Sequence, residues 1–600
     1  MKIINYENVK DVSTEKYFKD NSFAVDMFNS KYAHTKEDGS KETPPEVFKR
    51  NAEEIKRVED QEGCEEVWFS LIYDNWFRPG GSIIAGLGSN RNESLMNCTN
   101  IPVEDDNLEA ISKAHYSLRK CAAYRQGMGI GLSNLRPRYS KVGNSAEEST
   151  GAIPWGIDFG NTGEFVGQKG RKPAILEDLK ISHPDIEEFI ISKKSSGVLE
   201  NVNISVQISD DFVKSLRNDK SWKLYFSTNR EKVEKEVDPV ELIDSIAETA
   251  VQSAEPGVQF IDLMRKGSMV HTVYENRGDE RYKIIGTNAC SEKTLPPYGV
   301  CNLGSINMER FSTNPNEYKK ELAEIVPYLV RFQDNVVEYE LKYNRSPLEE
   351  QRYILEQTRE IGLGVTNLHG WLLKQDLPYD SDKAIEKVED FYKTYVYYVF
   401  KTSMELGKEK GNAPAFDLIS AKELYESSSY FKNVVDEFFG GDYTKVEYMR
   451  NLAHIANAPT GSLSNSFSIP CISSGIEPII APFHWRKTRA MSKGQYEYYF
   501  IIPERIREYI LSQIPMNSED YKELYRFNGS VKDDNGEIGL KLIEIINKYI
   551  SESFFKPAHE IDYYKKIDLL SRLYKWTDAS ISCTFNLPIT ATKDDVKHIY

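Results

Sequence analysis

At 600 residues, with 40% hydrophobic and 28% charged side chains, the chain has an ordinary globular composition and is long enough for several average domains or one large α/β barrel with additions. A formal charge of −16 argues against a broad nucleic-acid-binding surface but leaves room for a local basic pocket holding a phosphorylated small molecule. No apolar run approaches the ~20 residues that cross a bilayer, and Met1–Tyr6 lacks the basic-then-apolar form of a signal peptide. The seven cysteines (Cys64, Cys98, Cys121, Cys290, Cys301, Cys471 and Cys583) are odd in number and contain no Cys-x-x-Cys. That pattern fits neither a disulfide scaffold nor a zinc site, and it predicts a cytoplasmic protein.

In chain order, residues 1–60 read as helical pieces and loops, with a loop over Lys36–Pro45. Leu108, Ile111, Ala114, His115 and Leu118 recur at helical spacing and predict a helix over Asn107–Gln126. The run Gly127-Met128-Gly129-Ile130-Gly131 follows that helix instead of joining a strand to one, so it fails the context test for a dinucleotide-binding fold. Together with Gly362-Leu363-Gly364 it reads as close-packing or turn glycines. Pro239–Ser253 is a second helix, with Asp238 as N-cap and Pro239 at the first helical position, and Val258–Asp262 is a short apolar strand. Glu321–Tyr343, Ala384–Glu409 and Gly539–Ser553 are further helices, with short apolar segments at Ile284-Ile285, Gly362–Val365 and His454–Ala458. This alternation predicts an α/β fold with much parallel pairing and leaves barrel or open sheet undecided.

The chemistry concentrates in Asn288-Ala289-Cys290-Ser291-Glu292, followed on a Pro-rich loop by Cys301-Asn302-Leu303-Gly304-Ser305-Ile306-Asn307. A thiol there can give up a hydrogen atom or a proton, the carboxylate can take a proton, and the amide can hold a hydroxyl. A second thiol can supply electrons by forming a disulfide with a third. Ala458-Pro459-Thr460-Gly461-Ser462-Leu463-Ser464 offers glycine, hydroxyls and backbone N–H groups that could hold phosphate oxygens, although spacing alone favours an ordinary polar turn. Cys471–Pro478 is by its chemistry only a turn.

Taken in order, these segments resemble the catalytic subunit of ribonucleotide reductase, above all its adenosylcobalamin-dependent (class II) branch. The residues that carry the likeness are Asn288–Glu292, Leu295–Tyr298, Cys301–Asn307, Met96–Asp105, Leu135-Arg136-Pro137, His183–Ile190, Asn203–Val206, Ala458–Ser464, Ser473–Pro478 and Asn586-Leu587-Pro588. It covers about residues 25 to 600, in collinear order. It implies a ten-stranded α/β barrel over residues 101–600 with a central finger loop carrying the radical cysteine, preceded by an N-terminal helical region over residues 1–100.

The resemblance also implies roles. Cys290 would be the thiyl-radical site that takes the ribose 3′-hydrogen, Glu292 the base for the 3′-OH, and Asn288 a holder of ribose hydroxyls. Cys98 and Cys301 would become a disulfide as the 2′-OH leaves as water, reduced again by thioredoxin, glutaredoxin or a small dithiol. Ser82 and Asn97 align with substrate-contacting positions, and Pro459, Thr460, Gly461, Ser462, Leu463 and Ser464 with a loop for the phosphates of a nucleoside diphosphate. A deoxynucleoside triphosphate effector would meet Asp105, Lys141 and Arg171, with flexible loops at Pro137–Ser149 and Gly167–Ala174. Asp105 is equally readable as a solvated loop carboxylate, and Pro173 stiffens a loop that departs from the family's version. No metal ligands are implied. Cys64, Cys121 and Cys583 are read as structural, and Cys471 is given no chemistry.

Relatives continue past the Asn586-Leu587-Pro588 strand through a final helix and strand and a tail with a cysteine pair. The expectation is therefore a separate or downstream segment that completes the barrel, or reduction by external thiols. A homodimer is the usual assembly of relatives. The rival readings are a class I large subunit fed by a metal-containing radical subunit, and a catalytically silent nucleotide-binding paralogue. The second is disfavoured because reactive cysteines bring oxidation risk unless they are used. A glycyl-radical enzyme is disfavoured because no Arg-x-x-Gly-Tyr-type site occurs.

Overall fold

The computed structural model describes residues 2–600 except 168–172, 195–196, 219, 490–495 and 551–555. Its strands are β1 (Phe77–Pro79), β2 (Cys98–Ile101), β3 (Gly127–Gly131), β4 (Ile175–Lys180), β5 (Asn203–Ile208), β6 (Trp222–Ser227), β7 (Lys232–Val237) and β8 (Gly257–Phe260). They continue with β9 (Gly286–Thr287), β10 (Thr294–Leu295), β11 (Val300–Asn307), β12 (Ile361–Thr366), β13 (His484–Arg489), β14 (Tyr496–Ile501) and β15 (Ser530–Lys532).

Strands β2, β3, β4, β5 and β8 run parallel, each beside the next. Strand β11 runs antiparallel to both β1 and β2, which lie end to end along its edge, and parallel to β12 on its other side. Parallel bridges Leu363↔Ile455 and Asn457↔Ile581 carry the second half onward. Two parallel half-sheets thus meet in opposite directions at the β2–β11 seam, in a curled mixed sheet with a helical N-terminus. Antiparallel pairing at one seam lets the chain join two βαβ-type halves.

The helices form where local signals place them. Asn107 Oδ1 accepts the Ala110 N–H at 2.8 Å and starts helix Leu108–Ala123, which crosses from β2 to β3. Asp238 caps Pro239–Ser253 with Pro239 at its first position, as expected. The long helices span Pro315–Lys342 and Asp382–Lys410, longer than their apolar periodicity shows because capped polar turns extend them. Pro44 and Pro45 fall in helix Pro44–Lys56, not in the expected loop, because Thr43 forms a capping box with Glu46 ahead of them. The predicted helix over Gly539–Ser553 is observed as Glu537–Tyr549. Its expected end at residues 551–553 lies outside the described residues.

The N-terminal helices share one core with the second half of the barrel, where Phe28, Phe48 and Trp68 join the cluster of Leu329, Phe391 and Trp576. Ile111, Phe159, Phe189, Val206 and Ile246 fill a second core around the first half. Each such side chain contributes roughly 1.5–3 kcal/mol on burial. A smaller lobe, β13–β14–β15 with helix Glu537–Tyr549, has a core of its own around Phe500, Ile506 and Leu542.

The glycine run over residues 127–131 is neither turn nor phosphate loop; it is strand β3. A Cβ at Gly129 would stand 1.8 Å from the Thr287 carbonyl oxygen, so glycine is what admits the β9–β10 hairpin to the interior of the curled sheet. Gly364 plays a similar part on β12, where a Cβ would meet the Ala456 carbonyl at 2.4 Å. Polar side chains from β2, β5 and β8 then hold the hairpin. Asn100 Nδ2 donates to Thr287 O at 2.7 Å, Gln259 Nε2 to Thr287 Oγ1 at 2.9 Å, and Gln207 Nε2 to Ile285 O at 2.8 Å and to Asp178 Oδ1 at 2.7 Å.

Gly129→Ala is expected to lower stability by ~1–3 kcal/mol, the usual cost of overpacking. The midpoint of urea denaturation checks it; an unchanged midpoint would remove the argument for close approach. Burial pushes the Asp178 carboxyl up to about 8, against a weaker pull down from Lys180. Because the folded-state value lies above the ordinary ~3.9, this group's stabilising contribution is complete at low pH and is lost as pH rises through about 8. Melting temperature measured from pH 5 to pH 9 should therefore fall less for Asp178→Asn than for the native chain.

Candidate active site

The β9–β10 hairpin ends in a tip over residues 288–293. Asn288 N donates to Lys293 O at 3.1 Å, Lys293 N donates back to Asn288 Oδ1 at 3.2 Å, and Ser291 N donates to Asn288 O at 3.2 Å. Ser291 takes a left-handed backbone at φ 64° to close this turn. The tip exposes Cys290 and buries Asn288 and Glu292 on either side of it.

Strand alternation sets the rest. In β2, Cys98 and Asn100 share the inner face, toward the finger, while Thr99 and Ile101 face the other way. Cys301 is the direct register partner of Cys98 across the β2–β11 seam. Cα atoms in such antiparallel pairs lie ~4.5–5.5 Å apart, inside the range a disulfide requires. Every cysteine is a thiol here.

The three elements converge on Cys98. Asn288 Nδ2 donates to Cys98 Sγ at 3.1 Å, and Cys98 Sγ lies 3.7 Å from Glu292 Oε1. Burial raises the Cys98 thiol well above its ordinary value, helped by the charge of Glu292. Burial also raises Cys301. Both therefore stand as S–H groups at neutral pH. Burial raises Glu292 as well, countered by hydrogen bonds from its own backbone, Asn288 and Cys98. Among the described residues its Oε2 has no hydrogen-bond partner, and neither has Asn97 Oδ1. A buried carboxylate oxygen without a protein donor calls for an explanation, and a donor on a bound molecule is one.

Asn97 Nδ2 donates to Ser82 Oγ at 3.2 Å, so these two expected substrate contacts lie together next to Cys98. The loop over residues 458–464 begins beyond the His454–Asn457 segment and is locked to the end of β12. Thr366, Thr460 and Ser464 form a triangle of hydroxyls at 3.0 Å, and Gly475 N donates to Thr460 Oγ1 at 2.6 Å. Thr460 is left-handed at φ 43°, Pro459 lies under Gly475, and open space surrounds the Cβ position of Gly461. Leu463 packs on the main core, and Lys31 Nζ donates to Ser462 Oγ at 2.9 Å.

Asp105 lies on the rim of a separate cavity of about 850 Å³ lined by Asp106, Asn107, Arg136, His183 and the β6–β7 turn. Its carboxylate accepts from Asp106 N at 2.8 Å and Asn107 Nδ2 at 2.7 Å. Lys141 is exposed beside it, and its carbonyl accepts from Arg136 at 2.8 Å. Arg171 lies outside the described residues. Cys64 and Cys121 are buried in the main cores, and Cys471 and Cys583 are partly buried.

A further set of buried charges lies around the finger, without a motif of its own in the sequence. Lys293 Nζ lies 2.7 Å from Glu360 Oε2, with both side chains 1% exposed. Asp578 accepts from His454 Nδ1 at 3.0 Å and from the backbone N–H groups of His454 and Ile455. Lys293 adjoins Glu292, and Glu360 precedes a glycine pair, but no local signal joins them.

Residues 96–600 match the family described as "Ribonucleotide reductase, barrel domain". The chain is 30% identical over 543 residues to a vitamin B12-dependent ribonucleoside-diphosphate reductase of Thermoplasma acidophilum, covering 89% of this chain and 62% of that protein. A protein of the same description from Mycobacterium tuberculosis is 27% identical over 96% of this chain and 76% of its own length. The chain thus spans less than two thirds of the Thermoplasma relative. Among solved structures, the Actinobacillus ureae class Id ribonucleotide reductase alpha subunit superposes with a TM-score of 0.70 at 17% identity, covering 98% of this chain and 94% of that one, which shows a shared fold. With its paired half-sheets, its threaded finger and a family match over most of its length, the chain belongs to the ribonucleotide reductase barrel-domain family.

Proposed function

We propose that the chain carries the catalytic site of a ribonucleotide reductase that converts ribonucleoside diphosphates to deoxyribonucleoside diphosphates. The observation that carries this reading is the convergence of Asn288, Glu292, Cys98 and Cys301 around the tip of one finger, which exposes Cys290. Two buried thiols in direct register, a buried carboxylate with one unpartnered oxygen and an accessible third thiol supply what removal of a ribose hydroxyl needs.

The chemistry follows from those groups. A Cys290 thiyl takes the 3′-hydrogen, while Glu292 Oε2 accepts the proton of the 3′-OH and Asn288 and Asn97 hold the ribose hydroxyls. The neutral thiols of Cys98 and Cys301 then give two hydrogens and two electrons. The C2′–OH bond breaks, water leaves, a C2′–H bond forms and the sulfurs join as a disulfide. The 3′-hydrogen returns from Cys290. Burial matters because a carboxylate and a radical both react more selectively where water is excluded. The Pro459–Ser464 loop would hold the diphosphate through hydroxyls and backbone N–H groups, and the Asp105 cavity would take a deoxynucleoside triphosphate effector.

The starting radical must come from outside the buried cluster, and exposure of Cys290 fits delivery by an external group. Adenosylcobalamin, in keeping with the vitamin B12-dependent relatives, would supply there the one-electron oxidation of the Cys290 S–H. An external dithiol would reopen the Cys98–Cys301 disulfide, and the likeness to the family favours a homodimer.

Anaerobic assay with a nucleoside diphosphate, adenosylcobalamin and dithiothreitol is expected to give deoxynucleotide. Cys290→Ser should abolish turnover and leave nucleotide binding nearly unchanged; retained turnover would sink the central assignment. Activity only with an added metal-containing subunit would reassign the radical source. Glu292→Gln is expected to slow turnover by ~10²–10⁴, the usual weight of a positioned base, read from single-turnover rates.

A further inference from the structure

Granted the redox pair proposed above, on which this inference rests, its two sulfurs have different charged neighbours. Cys98 Sγ lies 3.7 Å from Glu292 Oε1. Lys293 Nζ lies 2.7 Å from Glu360 Oε2, both buried. Strands β11 and β12 pair Asn302 with Ile361, so Cys301 and Glu360 each precede that pair, one step along the same register. Gly362 draws β12 in so far that a Cβ there would stand 3.0 Å from Cys301 Sγ.

The charges act unequally. Burial pushes the Cys301 thiol up; the Lys293 ammonium is the main influence opposing it, ahead of the upward pulls of Glu360, Glu292 and Asp578. For Cys98 burial comes first, then Glu292, Cys301 and Cys290, all upward, with no cation among the leading influences. A buried ion pair is seldom more stabilising than a well-packed apolar pair, so stability alone does not account for Lys293 and Glu360 here.

We propose that Lys293 is a positioning residue that polarises the redox pair, so that negative charge released when the disulfide opens settles on Cys301 while Cys98 forms the mixed disulfide. In that step the thiolate of an external thiol attacks Cys98 Sγ, a new S–S bond forms, the Cys98–Cys301 bond breaks and Cys301 leaves as a thiolate beside Lys293. Cys301 then takes up the proton the attacking thiol released. A second external thiol displaces Cys98 in the same way, so two electrons and two protons enter the protein and the reductant ends as its disulfide. The better-stabilised thiolate is the faster leaving group, and the sulfur it leaves is the one attacked.

The test uses the full chain, oxidised, then mixed with limiting 2-mercaptoethanol, acid-quenched, alkylated and mapped by peptide mass. The native chain is expected to carry the mercaptoethanol adduct on Cys98 and the alkyl group on Cys301, by ~10-fold over the reverse. Lys293→Gln combined with Glu360→Gln removes both charges without leaving one buried alone. It should bring the two adducts toward parity and slow opening by ~10-fold, and Lys293→Arg should restore the native pattern. An adduct mainly on Cys301 in the native chain, or an unchanged pattern and rate in the double variant, overturns the proposal. If the oxidised native chain contains no Cys98–Cys301 disulfide, the redox-pair reading itself fails.

Discussion

The structure depends on one constraint: a β-hairpin must pass through the interior of a curled sheet without leaving its backbone polar groups unpaired. A buried N–H or C=O without a partner costs as much as a lost hydrogen bond or more. The sheet meets this by placing Asn100 of β2 and Gln207 of β5 on its inner face, where they donate to Thr287 O and Ile285 O, while Gln259 of β8 donates to the Thr287 hydroxyl. Gly129 removes the side chain that would block the same passage. The interior is therefore polar where the finger is held and apolar on the outside of the strands, where the helices pack.

Threading explains why the candidate chemistry sits where it does. Once the hairpin is in place, its tip faces the seam between the two half-sheets, and that seam is where Cys98 and Cys301 are in register. Asn288 closes the tip through its side-chain oxygen and reaches Cys98 through its side-chain nitrogen, so a single amide couples finger geometry to the sulfur. The exit of the finger is tied in turn to the outer cavity. Tyr298 donates through its hydroxyl to Glu104 Oε1 at 2.8 Å, and Glu104 lines the cavity that Asp105 borders. That link joins the cavity to the finger through a single side-chain hydrogen bond.

Local features of the fold are legible in the amino-acid sequence alone. Asp238, Pro239 and Asn107 mark helix starts because capping is decided within one turn of chain. The pairing of Cys290 with Glu292 is legible because both lie within one loop. The role of the glycines at 127–131 is half legible: close packing follows from the residue type, but whether they lie in a strand or a turn depends on Thr287, far along the chain. Glu360 and Lys293 carry no signal, since each alone is an ordinary charged residue.

By itself the sequence determined which candidate residues could carry chemistry and in what order they lie, because thiol, carboxylate and amide reactivity belongs to side-chain types and the finger motif is contiguous. Only the tertiary structure decided that Cys98 opposes Cys301, that Glu292 keeps one oxygen unpartnered, that Cys290 alone of the three candidate-site cysteines is exposed, and that Lys293 pairs with Glu360. The physical reason is that register, burial and electrostatic neighbourhood arise from strands that pair across long stretches of chain. No local propensity encodes the field that one buried charge exerts on a sulfur brought beside it by folding.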